Sequence, residues 1–212
     1  MNTNKEPELE KNNSGSKTKI TLKNITKSFS GITVLNNINL EFTSGEIHGL
    51  VGQNGAGKST LGKIIGGHYK LSSGNIFLND NLIKKWSSKI ALDNGIAMIH
   101  QELALVPGMT VYENIFLGIE ENYYGIIGKQ NTKLFNDLDQ KIGFNLDPNQ
   151  KVSSLRIADQ QKVEIIRALA RNAKVIIMDE PTSSLTNDEV IKLHDLMHKL
   201  KKSGYLIIYV SH

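Results

Sequence analysis

Short apolar runs that alternate with helical stretches predict an α/β fold on a mostly parallel sheet. Three observations carry the prediction. The apolar run Ile47 to Val51 leads straight into Gly52-Gln53-Asn54-Gly55-Ala56-Gly57-Lys58-Ser59, a G-x-x-x-x-G-K-S loop between a strand and a helix. Val175 to Met178 is continuously apolar, as expected of a strand buried on both faces, and ends in the paired acids Asp179-Glu180. Between these landmarks, from Pro107 to about Asn149, the pattern turns helical, which predicts an insertion into the alternating sheet.

In chain order, the first 17 residues, MNTNKEPELEKNNSGSK, lack the apolar stretch of a signal peptide and read as a disordered, charge-balanced tail. Ile20, Leu22 and Ile25, then Val34, Ile38, Leu40 and Phe42, predict two strands ahead of a Ser44-Gly45 turn. The strand Ile47 to Val51 feeds the glycine loop, and a helix from Lys58 ends at Gly66-Gly67. Gly74 to Leu78 and Ile96 to Ile99 are further strands. The insertion carries loops at Gly125 to Gly128 and at Asp147-Pro148. Ala158 to Arg171 is an amphipathic helix with Val163, Ile166, Leu169 and Ala170 on one side. Thr186-Asn187-Asp188-Glu189 reads as a capping box that opens a helix to about Lys202, and Tyr205 to Val210 is a last strand.

Composition narrows the class. The chain has 212 residues, 39% hydrophobic and 22% charged, enough for one sizeable core with an appended subdomain. It contains no Cys, which excludes disulfides and thiolate metal sites and suits a reducing cytosol. No run of 18 apolar residues is present, so no segment reads as a membrane-spanning helix. The net charge of +4 is spread over scattered lysines, a solvated surface rather than a nucleic-acid groove.

The glycine loop implies a polyphosphate ligand. Glycines let successive N–H groups turn toward one anion, and the following helix adds the positive end of its dipole. Lys58 is placed for the β- and γ-phosphates, and Ser59 for a hydroxyl on Mg²⁺. Asp179, at the end of its strand, is placed to hold Mg²⁺. Neighbouring residues at a strand end point different ways, so Glu180 is free to face an attacking water. That second acid favours hydrolysis over phosphoryl transfer to another substrate.

The order of motifs then resembles the nucleotide-binding domain of ATP-binding cassette proteins. His100-Gln101-Glu102 is similar to the Q-loop, Leu155 to Asp159 stands where the signature precedes Gln160-Gln161, and Met178 to Thr182 contains the two acids. Ser183 to Thr186 takes the place of the D-loop and Ser211-His212 that of the switch histidine. The resemblance implies ATP and Mg²⁺ as cofactors. Phe29 would stack on adenine, and Gly52, Asn54, Gly55, Ala56, Gly57, Lys58, Ser59 and Thr60 would hold the phosphates. Ser59, Gln101 and Asp179 would serve the metal, and Glu180, Gln101 and His212 the catalysis.

It also implies a P-loop NTPase (RecA-like) core with an N-terminal antiparallel β-subdomain and a helical subdomain at about 104–157, the whole domain running 18–212. The stretches GEIHGLVGQNGAGKST, HQELALVPGMTVYENIFLG, DQQKVEI and MDEPTSSLT look like the ATPase subunits of bacterial monosaccharide importers. Those subunits carry two tandem cassettes and work at the cytoplasmic face of the membrane with permease subunits and a solute-binding protein.

On that comparison this chain is expected to be a fragment, most of a first cassette. Two departures stand out. The expected Leu-Ser-Gly-Gly-Gln is Leu155-Arg156-Ile157-Ala158-Asp159, and Thr186 replaces the usual aspartate of the D-loop. Arg156 opposes the helix dipole at a position where Ser normally caps, with Asp159 one turn on to offset it. The alternatives are a cassette ATPase acting on ribosome or DNA, or a weakly hydrolysing regulatory cassette.

Overall fold

The computed structural model describes residues 18–119 and 132–211, together with the backbone of 122–123 and 126–127. The chain opens with β1 (Lys19–Phe29), β2 (Ile32–Thr43) and β3 (Ile47–Leu50), followed by α1 (Lys58–Ile65), β4 (Ser73–Leu78) and β5 (Asn81–Leu82). Next come α2 (Ser88–Asp93), β6 (Ile96–Ile99), α3 (Val111–Phe116), β7 (Asn122–Tyr123), β8 (Ile126–Ile127) and α4 (Thr132–Ile142). A 3-10 turn (Val152–Ser154), α5 (Ile157–Ala170), β9 (Val175–Asp179), α6 (Asn187–Lys202) and β10 (Leu206–Val210) complete it.

Two sheets organise the molecule. β2-β1-β4-β5 is antiparallel, and β3-β10-β9-β6 is parallel. In the first, Ile20 and Leu22 alternate inward, Ile25 is buried beyond a register shift, and Ile20 pairs with Phe42 across the hairpin. In the second, alternation serves both faces. Val175 and Ile177 of β9 pack with α1 residues Ile64 and Ile65 and with the antiparallel sheet. Ile176 and Met178 pack on the other side with Val163 and Ile166 of α5 and Leu196 of α6. A strand squeezed between two cores has no polar face, which is why its sequence is continuously apolar.

Several element boundaries differ from the sequence expectation by one or two residues. α1 stops at Ile65 rather than Gly67, because Trp86 donates its indole N–H to the carbonyls of Ile64 (2.8 Å) and Ile65 (3.2 Å) and closes the helix from outside. β5 and the six-residue α2 were not expected; α2 is too short for a periodic signal, although Ser87 accepts from the Ile90 N–H as its cap. The helical insertion contains α3 and α4, and Ile126–Ile127 pair with Asn122–Tyr123 where a loop was expected. The tail 1–17, Gly125, Gly128 and His212 lie outside the described residues.

The insertion is fastened to α5. Arg167 donates to the Ala104 carbonyl (2.8 Å), and Arg171 donates to that of Leu117. The buried Asn114 bridges the Val106 N–H (2.7 Å) and the carbonyls of Val106 and Thr110 (3.1 and 3.0 Å), using its oxygen and its amide nitrogen. These bonds fix the segment between β6 and α3 to the helix that begins at the signature position.

Two tests follow. Gly67 has φ +76°, and a Cβ there would lie 2.4 Å from the backbone carbonyl of Ser87. Gly67→Ala should therefore lower unfolding free energy by about 2 kcal/mol or more in urea titrations; an unchanged midpoint would contradict the packing described. The Thr186 N–H and hydroxyl, bonded to Glu189 at 2.9 Å each, hold the Glu189 carboxyl below its ordinary 4.5, with Arg156 adding to the effect. A carboxylate depressed in the folded state stabilises above its unfolded pKa and stops doing so as pH falls through the folded value. The melting-temperature gap between wild type and Glu189→Gln should thus be open at pH 7 and close as pH drops below about 4.5; a gap that widens in acid would reverse the assignment.

Candidate functional site

Four strands of the parallel sheet end on one edge, and each is followed by a segment singled out in the sequence. Val210 of β10 pairs with Leu50 of β3 on one side and with Asp179 of β9 on the other. Met178 in turn pairs with Ile99 of β6, two residues before Gln101. The ladder continues past the strands: the Glu180 N–H donates to the Val210 carbonyl (3.1 Å) and the Ser211 N–H to that of Leu50 (3.2 Å). The glycine loop, Asp179-Glu180, Gln101 and Ser211 therefore share the carboxyl edge of one sheet, the position where open α/β sheets bind ligands. His212 follows Ser211 outside the described residues.

The loop Gly52 to Ala56 is exposed, and Gly57 is the N-cap of α1 with φ +85°. A Cβ at Gly57 would meet a methyl of Leu35 at 2.7 Å and the Val34 carbonyl at 3.1 Å, so the loop is pressed against β2. No side chain caps this helix, whereas the hydroxyls of Ser87 and Thr110 each take an N–H at the starts of α2 and α3. The first-turn N–H groups of α1 are thus left for an anion. Lys58 folds its ammonium back into the loop, donating to the carbonyls of Gly52 (2.8 Å) and Gln53 (2.9 Å). Ser59 and Thr60 are partly buried in the same turn.

Asp179 is only 6% exposed, and its Oδ1 is buried without a hydrogen-bond partner. An orphaned buried carboxylate oxygen demands a cation or water. With the Ser59 hydroxyl opening α1 across β10, the donor set fits Mg²⁺, a hard cation that takes one or two protein oxygens plus phosphate and water. Glu180 leaves the strand with φ +49°, a left-handed conformation unusual for a residue with a side chain. The turn that holds it is braced three ways. Ser183 bonds the Glu180 carbonyl (3.1 Å), Thr182 meets the Tyr209 hydroxyl (3.1 Å), and Gln161 of α5 donates to the Pro181 carbonyl (2.6 Å). Strain at Glu180 is thereby fixed by groups from β10 and α5.

Phe29 ends β1 and is 38% exposed, with Ile32 beginning β2 directly after the hairpin. Gln101 is exposed in the loop after β6, beside His100, whose ring meets that of His68 edge-on at 4.7 Å. Arg156 is the N-cap of α5, with extended backbone and no side-chain capping bond. Asp159 lies in the first turn of α5, the position from which an acid offsets the cation at the N-cap, and is also bonded to Lys162 at 2.6 Å. Arg156 and Glu189 both line a cleft of about 430 Å³ between α5 and α6, where the cation helps to hold the Glu189 carboxyl down.

Gln161, Tyr209 and Trp86 were not legible as support for the site, because each acts through a contact 20 or more residues away in sequence. Only Gln161 had a neighbouring signal, its place after the signature.

These features match known proteins. The family model described as ABC transporter covers residues 35–183. The chain is 43% identical over 192 residues to the ribose import ATP-binding protein RbsA of Clostridium perfringens, covering 89% of this chain and 38% of that protein. It is 44% identical over 190 residues to the arabinose import ATP-binding protein AraG of Paraburkholderia xenovorans, covering 89% of this chain and 37% of that one. The chain thus spans about two fifths of the length of the curated relatives it matches.

Among solved structures it superposes on the bacterial ABC transporter cassette MJ0796, solved as a dimer, with TM-score 0.75 and 30% identity over 91% of this chain and 88% of that one. The same cassette has been solved with ADP and Pi bound, at TM-score 0.74 and 28% identity over 91% and 88% of the two chains. The parallel sheet, its glycine loop and the antiparallel sheet beside it are the P-loop cassette fold, and the chain belongs to the ABC transporter family.

Proposed function

We propose that this chain is an ATP-binding and ATP-hydrolysing cassette that powers import of a small solute, a monosaccharide by the names of its relatives. One observation carries the reading: the uncapped start of α1, with Lys58 inside its loop, stands two strands from the partnerless Asp179 oxygen. An N–H-rich cradle facing a buried acid across one intervening strand suits a triphosphate with its metal, and little else.

In this reading Gly52, Asn54, Gly55, Ala56, Gly57 and Thr60 bind phosphate oxygens mainly through backbone N–H groups. Lys58 gives up the Gly52 and Gln53 carbonyls for phosphate oxygens. Ser59, Asp179 and Gln101 would hold Mg²⁺, which supplies charge neutralisation at the phosphates when bound. Glu180 orients a water and takes its proton as the oxygen attacks the γ-phosphorus and the bond to ADP breaks. His212 would contact the γ-phosphate, and Phe29 the base.

The partners are a second cassette, whose signature completes this site, transmembrane permease subunits and a solute-binding protein, at the cytoplasmic face of the membrane; no nucleic acid is involved. Among the described residues no helix is long and apolar enough to cross a membrane, consistent with separate permease chains. The second site, completed by this chain's own signature, is expected to turn over slowly. Ile157 and Ala158 replace the glycines that permit close approach, and Arg156 stands as the N-cap of α5 without a side-chain capping bond.

Calorimetry and turnover assays test this directly. Lys58→Ala should weaken ATP binding by on the order of 30-fold or more, the loss of a charge-assisted contact of roughly 2–4 kcal/mol; unchanged affinity would sink the phosphate site. Glu180→Gln should keep ATP binding while hydrolysis at its site falls by about 10²-fold or more, and full activity there would remove Glu180 from the mechanism. In the assembled two-cassette protein, Arg156→Ala should change turnover by less than about threefold, whereas an arginine finger reaching the partner's nucleotide would cost about 10³.

A further inference from the structure

We infer that Tyr69 is a positioning residue for the base-stacking platform, locking Phe29 in the orientation that receives adenine. The inference rests on the nucleotide site proposed above. Phe29 sits at the last position of β1 with much of its ring exposed, and a ring at a strand end has no neighbour further along the chain to hold it.

Two contacts supply what the strand does not. The Tyr69 ring meets Phe29 edge-to-face, with centroids 5.4 Å apart and planes at 75°. Lys27, two residues back and so on the same face of β1, places its ammonium 4.5 Å from the Phe29 centroid. The ring thus carries a cation over it and an aromatic neighbour at 75°, contacts that oppose its rotation, while 38% of the residue stays exposed to receive a base.

Tyr69 is itself fixed. Its N–H donates to the Lys63 carbonyl in the last turn of α1 (3.1 Å), and the Lys63 ammonium lies 5.7 Å from its ring centroid. Its side chain is half-buried against the core beneath the antiparallel sheet. Three residues on, the loop is sewn to β1: the Ser72 N–H donates to Thr26 (2.9 Å), and the Ser72 hydroxyl accepts from the Ser28 N–H (2.9 Å). The segment that holds Phe29 thus grows directly from the helix whose first turn forms the phosphate cradle. Platform and cradle are spaced by one continuous piece of backbone, and Tyr69 is the side chain that completes the link.

The expected signature separates base from phosphate. Titration calorimetry of the chain with ATP–Mg²⁺ and with inorganic tripolyphosphate–Mg²⁺ compares wild type, Tyr69→Leu and Tyr69→Phe. Leucine keeps apolar packing but removes the aromatic edge, and phenylalanine restores it. Tyr69→Leu should bind ATP roughly 2- to 12-fold more weakly, the range of an aromatic pair, with tripolyphosphate affinity unchanged and Tyr69→Phe equal to wild type. Wild-type ATP affinity in Tyr69→Leu would overturn the inference. So would equal losses for ATP and tripolyphosphate, which indicate general damage to the loop, or failure of Tyr69→Phe to restore ATP binding. If wild-type protein binds neither ligand, the nucleotide site itself falls, and the role of Tyr69 with it.

Discussion

The pairing of β10 between β3 and β9 is the constraint on which the site depends. Because all three strands run the same way, Leu50, Val210 and Asp179 stand side by side, and the segments that follow them emerge on one edge. The sheet spacing sets the separation of the glycine loop and Asp179 at about 10 Å, two strand widths. The two backbone bonds beyond the strands, from Glu180 and Ser211, extend that order into the segments that follow them. A slip of β10 by one residue would turn Ile207 from one core and Ile208 from the other, so the hydrophobic pattern that stabilises the sheet also fixes the register of the chemistry.

The helix starts divide by purpose. Ser87, Thr110 and Thr186 begin α2, α3 and α6, and at α3 and α6 a glutamate closes the capping box. These starts are complete in themselves. α1 and α5 begin without side-chain caps, and they differ in charge. Gly57 leaves the α1 N–H groups open beneath an exposed glycine loop, so the stability forgone at the cap is available to a phosphate. Arg156 puts a cation where the α5 dipole is already positive, an opposition worth roughly 0.3–1 kcal/mol, with Asp159 as the acid in the same first turn. Both starts are open, the first beneath a glycine loop and the second opened by a cation.

The sequence made the main chemistry legible because that chemistry is local. A glycine loop between strand and helix, an apolar strand ending in Asp179-Glu180, and Thr186 with Glu189 are each contained in a short window, and the physical reason for each residue can be read there. The α/β alternation was equally visible, since a buried parallel strand must be continuously apolar. What stayed hidden acts over distance. Trp86 closing α1, Gln161 holding the turn after Glu180 and Tyr69 bracing Phe29 are side chains whose partners lie 20 or more residues away, and no spacing rule names them. α2 escaped because six residues carry too little periodicity.

The central claim is that the start of α1 is a triphosphate cradle in which Lys58 exchanges backbone carbonyls for phosphate. A crystal structure of the chain with Mg²⁺ and a non-hydrolysable ATP analogue tests it most directly. The account predicts that the Lys58 ammonium, now 2.8 Å from the Gly52 carbonyl and 2.9 Å from that of Gln53, turns onto the β- and γ-phosphates while Asp179 Oδ1 gains the metal or a metal-bound water. A nucleotide bound elsewhere, with Lys58 still on both carbonyls and Asp179 Oδ1 still without a partner, would contradict it.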